Sequence, residues 1–159
     1  MIVTKDEVIQ GVIIKKARIC ADPRGWLLEC FRHDEISKEL YPAMSYVSMT
    51  KPGIARGPHE HNEQTDCFCF IGSSAFRLFL WDNREKSASF GKEMAISIEE
   101  GSPTIAIIPP HVVHAYKNIG TKEGLVLNFA NRLYAGWGKR DPVDEIRYEN
   151  GVNCKFKIY

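Results

Sequence analysis

Residues able to do acid–base or metal chemistry gather in two short stretches of this chain. One is Arg56-Gly57-Pro58-His59-Glu60-His61, with Glu63 and Gln64 just beyond. The other is Ile108-Pro109-Pro110-His111-Val112-Val113-His114. An imidazole with its ordinary pKa near 6.5 takes or gives a proton at neutral pH, and when neutral it ligates metals. His59 and His61 are two apart, and on a β-strand such residues share a face, so both rings would aim into one space. A proton-transfer site would need a histidine base and a second acid on the opposite side of the reacting carbon. A metal site would need two or three imidazoles and an oxygen ligand. His59, His61, Gln64 (or Glu63) and His114, the last within His114-x-x-x-Asn118, approach that set and would suit Zn, Ni, Mn or Fe.

The elements that must carry these groups are short. Apolar, β-rich runs cover residues 11–20, 26–31, 44–50, 67–71, 75–81, 94–98, 104–108 and 125–129. Turn signals separate them: Asp22-Pro23-Arg24-Gly25, Lys51-Pro52-Gly53, Gly72-Ser73-Ser74, Gly101-Ser102-Pro103 and Ile119-Gly120. Only residues 33–40 read as helical, with Asp34 as the cap. The pattern predicts an all-β fold: an antiparallel jelly-roll or cupin β-sandwich with one short helix, as a single domain over 1–159. A cavity between two such sheets would receive every inward-pointing polar group.

Composition narrows the function. The chain has 159 residues, 44% hydrophobic and 26% charged, which suffices for a core. Its 21 basic and 20 acidic residues leave a net charge of +1, giving no electrostatic case for nucleic acid or an anionic membrane. No apolar run approaches the ~18–20 residues that cross a bilayer, and the charged start, Thr4-Lys5-Asp6-Glu7, is unlike a secretory signal. The five cysteines (20, 30, 67, 69, 154) are odd in number and lack zinc-finger spacing. Reduced thiols and a cytoplasmic location are expected.

The motifs resemble those of the cupin-fold nucleotide-sugar epimerases typified by dTDP-4-dehydrorhamnose 3,5-epimerase. Asp22-Pro23-Arg24-Gly25-Trp26-Leu27-Leu28-Glu29-Cys30-Phe31 is similar to Asp-x-Arg-Gly-aromatic-x-x-Glu-x-Phe, and Gly53-Ile54-Ala55-Arg56-Gly57-Pro58-His59 to Gly-Val-x-Arg-Gly-Leu-His. The segment 82–91 looks like Asp-x-Arg-x-x-Ser-Pro-Thr-Phe-Gly, and 108–116 like Ile-Pro-x-Gly-Phe-Ala-His-Gly-Phe. Tyr134 and Asp141-Pro142 fall where that family has a tyrosine and a later Asp-Pro. The resemblance implies an isomerase in which His59 removes a proton next to a keto group of a dTDP-type 4-keto-6-deoxy sugar. Tyr134 would return one from the other face. Arg24, Trp26, Glu29, Arg56, His61 and His114 would bind the nucleotide sugar. It also implies no cofactor and a homodimer formed by strand exchange, which could carry Arg24 or Glu29 into a neighbouring pocket.

The chain departs from the family at several positions. Asp66 follows Gln64-Thr65 where the family has a lysine, Met44 and Tyr46 replace a glutamine and an asparagine, and no acidic partner for His59 stands out. Three other readings stay open. Gly57-Pro58-His59-Glu60-His61 fits the Gly-x-His-x-His of sugar-nucleotide 3,4-ketoisomerases. The histidines could hold a divalent metal in an oxygenase, isomerase or sensor. The chain could also be an inactive relative that binds a sugar nucleotide. Away from this group, His33 is expected at the surface, His111 in a tight turn, and Trp81 and Trp137 in the core or an interface.

Overall fold

The computed structural model describes residues 9–149 and 154–159. The β-branched and aromatic runs form two five-stranded antiparallel sheets. The strands in chain order are β1 (Ile13–Lys16), β2 (Ile19–Asp22), β3 (Gly25–Leu28), β4 (Tyr46–Thr50), β5 (Ala55–Glu60), β6 (Asp66–Phe70), β7 (Phe76–Asp82), β8 (Glu93–Ile98), β9 (Thr104–Ile108), β10 (Val112–Asn118), β11 (Gly124–Asn128) and β12 (Ile146–Arg147). The first sheet runs β1-β9-β6-β11-β4 and the second β12-β5-β10-β7-β8, while β2 and β3 make a separate hairpin. The expected all-β cupin-like sandwich is therefore what this sequence builds.

The period of two explains the layers. Along β6, Phe68 and Phe70 point between the sheets and pack with Phe76, Leu78, Leu80 and Tyr116. Cys67 and Cys69 point outward and pack with Ile105 and Ile107. Leu28, Cys30, Ile36 and Leu40 cover that outward face, so β6 is buried on both sides and reads as a continuous apolar run. Burying each large side chain contributes roughly 1.5–3 kcal/mol. The outer face of the second sheet is covered by Phe156, which packs on Phe79, Trp81 and Val113.

Two expectations need correction. Residues 33–40 hold no α-helix: only Lys38–Leu40 form a 3-10 turn, and Ser37 precedes it without a capping bond. Asp34 does not cap, because Arg32 engages its carboxylate at 2.9 and 2.7 Å, and Pro42 blocks extension of the turn. Residues 11–20 do not form one strand; the run breaks at Ala17-Arg18 and its halves join different sheets. Of the two places expected for it, core or interface, Trp137 is not in the core, being 84% exposed on the single chain, whereas Trp81 is core. His33 is exposed and stacks on Tyr41 at 3.9 Å. His111 is exposed in a left-handed turn (φ 58). Among the described residues, no helix is long and apolar enough to cross a membrane.

Candidate active site

β5 and β10 are antiparallel neighbours, and their register sets His59 opposite His114. Gly57 makes this approach possible. It adopts φ 84, and a Cβ there would lie 2.6 Å from the His114 carbonyl oxygen. His61 follows the end of β5, and Asp66 opens β6 on the facing sheet. The three imidazole centroids lie 4.4, 5.5 and 5.9 Å apart. One ligand atom from each of His59, His61, Asp66 and His114 falls within 4.8 Å of the others. His59 and His61 line a cavity of about 420 Å³ between the sheets. Tyr46, Arg56, Tyr134, Glu145 and Arg147 contribute to the same walls.

Backbone carbonyls orient two of the rings. Nδ1 of His114 donates to the Val112 carbonyl at 3.0 Å, and Nδ1 of His61 donates to the Asp144 carbonyl. Both Nε2 atoms are thereby turned toward Asp66 Oδ2, at 3.2 Å from His61 and 3.0 Å from His114. The other oxygen, Oδ1, accepts amide hydrogens from Gln64 and Asn128, each at 2.8 Å. The Asp144 side chain fixes the turn that carries His61: its carboxylate accepts the backbone N–H groups of Asn62, Glu63 and Gln64 at 2.8–2.9 Å.

This packing separates the charges of neighbouring histidines. Burial, with His114 nearby, pushes His59 down to about 2, so it is a neutral base at any physiological pH. Burial works against a charged His61 as well, but the Asp66 carboxylate outweighs it and raises that imidazole to about 9. Burial alone would raise Asp66; His114 and His61 instead hold it well below the ordinary carboxylate value. Tyr46 is pushed up to about 12, first by burial and then by Asp66.

Of the residues singled out from the sequence, His59, His61, Arg56, Gln64 and Tyr134 share the cavity. His114 sits directly behind it, 2% exposed. Arg56 is anchored through Thr50 Oγ1 (3.0 Å) and the Met49 carbonyl (2.8 Å). Tyr134 is half-exposed on a loop at the rim, its backbone N–H directed at Met44 Sδ. Arg24 and Trp26 lie on the β2–β3 hairpin and Glu29 just beyond it, all outside this cavity, with Arg24 paired to Asp22 at 2.6 Å. Gln64, expected as the oxygen ligand, lies beside the histidines, its amide 3.2 Å from His61 Nε2, and a carboxylate joins it there. Its amide donates to Asp66, and Asp66 is the carboxylate that joins the histidines. Asp66 and Glu145 were not recognised from the sequence as site residues. Asp66 carried a signal, a carboxylate five positions after His61 at the start of a strand. Glu145, with Oε1 3.8 Å from His59 Nε2, carried none.

An imidazole cluster at the bottom of a cavity between two antiparallel sheets is a cupin-like arrangement. Residues 20–141 match the polysaccharide biosynthesis C-terminal domain, and the chain belongs to that family. Agl13 of Haloferax volcanii, a probable low-salt glycan biosynthesis epimerase, is 35% identical over 127 residues, 79% of this chain and 81% of that protein. SpsL, a spore coat polysaccharide biosynthesis protein of Bacillus subtilis, is 31% identical over 127 residues, 80% and 83% of the two chains. A dTDP sugar isomerase from Desulfovibrio desulfuricans has the same fold, with TM-score 0.78 at 20% identity over 94% of this chain and 92% of that one. ChmJ, a 3'-monoepimerase from Streptomyces bikiniensis solved with dTDP-quinovose, gives TM-score 0.76 at 19% identity, covering 93% and 74%.

Proposed function

We propose that the protein epimerises a nucleotide-linked 4-keto-6-deoxy sugar of the dTDP type for glycan assembly. His59 removes a proton from the carbon beside the ketone. Its imidazole is neutral and so has a lone pair free to accept that proton, but the burial that keeps it neutral also weakens it as a base, so bound substrate and the neighbouring Glu145 carboxylate must raise its basicity for the step. Glu145, 3.8 Å away and itself bonded to Arg147 at 2.7 Å, stabilises the imidazolium that forms. Tyr134 returns a proton from the opposite face, and the enolate oxygen draws on the positive charge of Arg56. The observation that carries this reading is that His59 and Tyr134 line one cavity. The relatives support it, since Agl13 is a probable epimerase and ChmJ was solved with a dTDP-sugar.

The hairpin residues Arg24 and Trp26, with Glu29, belong in this reading to the pocket of a second copy, reached by strand exchange in a homodimer. Trp26 and Leu27, 58% and 61% exposed, support such an arrangement. The test is to supply a dTDP-4-keto-6-deoxyhexose in deuterated water and follow C3 and C5 by NMR. Deuterium should enter at one or both carbons, and His59→Ala should abolish it. Absence of exchange with every nucleotide variant of the substrate would overturn the reading.

A second reading places a divalent cation among His59, His61, His114 and Asp66. One observation favours it: Asp66 Oδ2 and His114 Nε2 are buried and lack hydrogen-bond partners, although they face each other at 3.0 Å. With Nδ1 of His114 donating to a carbonyl, its Nε2 in the neutral ring presents a lone pair to a carboxylate oxygen, and a cation between them satisfies both. These groups fit Zn, Ni, Mn or Fe, and such an ion would supply a Lewis acid for a carbonyl oxygen. Elemental analysis of protein purified without a nickel column, with exchange assayed before and after chelation, separates the readings. A stoichiometric ion whose removal stops exchange favours the second.

A further inference from the structure

The cavity wall across from His59 carries a phenol with no part in the chemistry described so far. Tyr46 opens β4 in the first sheet, whereas His59 stands on β5 in the second, and both line the same cavity. The β4–β11 register sets Tyr46 opposite Asn128, and the β11–β6 register sets Asn128 opposite Phe68. Residues directly opposite on neighbouring strands share a face. Phe68 points between the sheets, so Tyr46 and Asn128 do too, and so does Asp66, two residues before Phe68.

Asn128 decides how the Tyr46 hydroxyl is used. Asn128 is fully buried, and its Oδ1 accepts the Cys67 backbone N–H at 3.1 Å. That N–H needs an acceptor, so the amide cannot be turned round. Nδ2 then directs its two hydrogens at Asp66 Oδ1 (2.8 Å) and at the Tyr46 hydroxyl oxygen (3.0 Å). The Tyr46 oxygen is therefore an acceptor on its Asn128 side. Among the described residues no group accepts the Tyr46 O–H, which is free to turn into the cavity. Burial, followed by the Asp66 charge, pushes the phenol up to about 12, so it stays protonated at neutral pH.

On the epimerase reading, on which this rests, we propose that Tyr46 is a further catalytic residue: its hydroxyl donates a hydrogen bond to the keto oxygen of the sugar and tightens on the enolate that His59 generates. In that step His59 takes the proton, the C–H electron pair becomes a carbon–carbon double bond, and the carbonyl π pair moves onto oxygen. Tyr46 keeps its proton throughout. Its bond strengthens as the oxygen gains charge, so it favours the transition state over the bound ketone. Donation from Asn128 polarises the phenol and makes it the better donor. Arg56 supplies net charge at this oxygen, and Tyr46 supplies a directed hydrogen bond held by a buried amide.

The experiment incubates the wild type, Tyr46→Phe and Tyr134→Phe with a dTDP-4-keto-6-deoxyhexose in deuterated water. Tyr46→Phe should lower kcat by roughly 10²–10³ with little change in KM, and it should slow deuterium entry by the same factor, because forming the enolate is what suffers. Tyr134→Phe should still exchange at the carbon facing His59. As a check on the oxygen itself, the infrared carbonyl band of bound, carbon-13-labelled substrate should lie at higher frequency in Tyr46→Phe than in the wild type. If Tyr46→Phe does not fold, 3-fluorotyrosine at position 46 keeps the hydroxyl and makes it a stronger donor. That variant should retain exchange and move the band to lower frequency. A Tyr46→Phe protein that exchanges at the wild-type rate, that exchanges but no longer inverts, or that changes only in KM would overturn the proposal, as would a carbonyl band unmoved by either variant. A wild type without exchange on any nucleotide variant overturns the epimerase reading and this role with it, whereas an active wild type matched by Tyr46→Phe overturns this role alone.

Discussion

Replacing Asp66 with Asn keeps the size of a fully buried side chain and removes its charge. Oδ1 can still accept from Gln64 and Asn128, and the new amide can face His61 and His114. What disappears is the reason His61 is charged. In the native protein that imidazole titrates near 9 instead of 6.5, which corresponds to about 3 kcal/mol in favour of the protonated form at 1.36 kcal/mol per tenfold change. Between pH 6.5 and 9 the folded protein binds a proton that the unfolded chain has given up, so stability falls as pH rises through this window. His61 therefore contributes about 3 kcal/mol below pH 6.5, and almost none of it remains above pH 9. Asp66→Asn should remove that slope and lower stability at pH 6 by about the same amount. Urea unfolding at pH 6, 7.5 and 9 measures the slope, and histidine NMR follows the ring directly. If the variant keeps the native slope, or if His61 still titrates near 9 in it, the assignment of the charge to Asp66 is wrong.

Further outcomes follow from the same site. Tyr134→Phe should stop inversion while leaving solvent exchange at the carbon that faces His59, because abstraction and return on that side need only the base; NMR of recovered substrate distinguishes the two. On the acid side, His59 is depressed to about 2, so the unfolded chain binds a proton that the folded one excludes. Stability should then decline as pH falls below 6.5, and His59→Ala should flatten that limb of the urea series. Arg56→Gln should reduce kcat/KM by roughly 10²–10³, measured by steady-state kinetics, with a melting temperature close to that of the wild type because Arg56 lies outside the packed core.

The sandwich was legible because its signals are local. Residues 104–108 form β9 with the expected bounds, and the runs at 67–71, 75–81 and 125–129 each shift by only one residue. β5 and β10 were harder to read as strands, since Arg56-Gly57-Pro58-His59-Glu60 and His114-Ala115-Tyr116-Lys117 replace apolar residues with site residues. Their local propensity is overridden by pairing with neighbours on both sides. The helix expected at 33–40 failed for the opposite reason. Ile36 and Leu40 have helical spacing, yet both are recruited to cover the outer face of β6 and β9. Tertiary burial decided their conformation.

Asp66 shows why a site residue can be misjudged by its charge alone. Next to an enolate, an isolated carboxylate would oppose the charge that develops, and a lysine would favour it. Here the carboxylate does not act alone. It lies 3.2 Å from an imidazole that it keeps protonated and 3.0 Å from a second. The His61–Asp66 pair is close to neutral overall, so it cannot supply what a lysine supplies as net charge. Arg147 is likewise matched, by Glu145 at 2.7 Å and Glu149 at 3.4 Å. Among the described residues, Arg56 lines the cavity without an ion pair, held only by a hydroxyl and a carbonyl. An unmatched cation in a partly desolvated cavity acts on an oxyanion more strongly than a matched one, because no nearby anion cancels its field. The electrostatic task that the resemblance assigns to a lysine on β6 therefore falls on an arginine of β5, while Asp66 sets the protonation of the histidines around it.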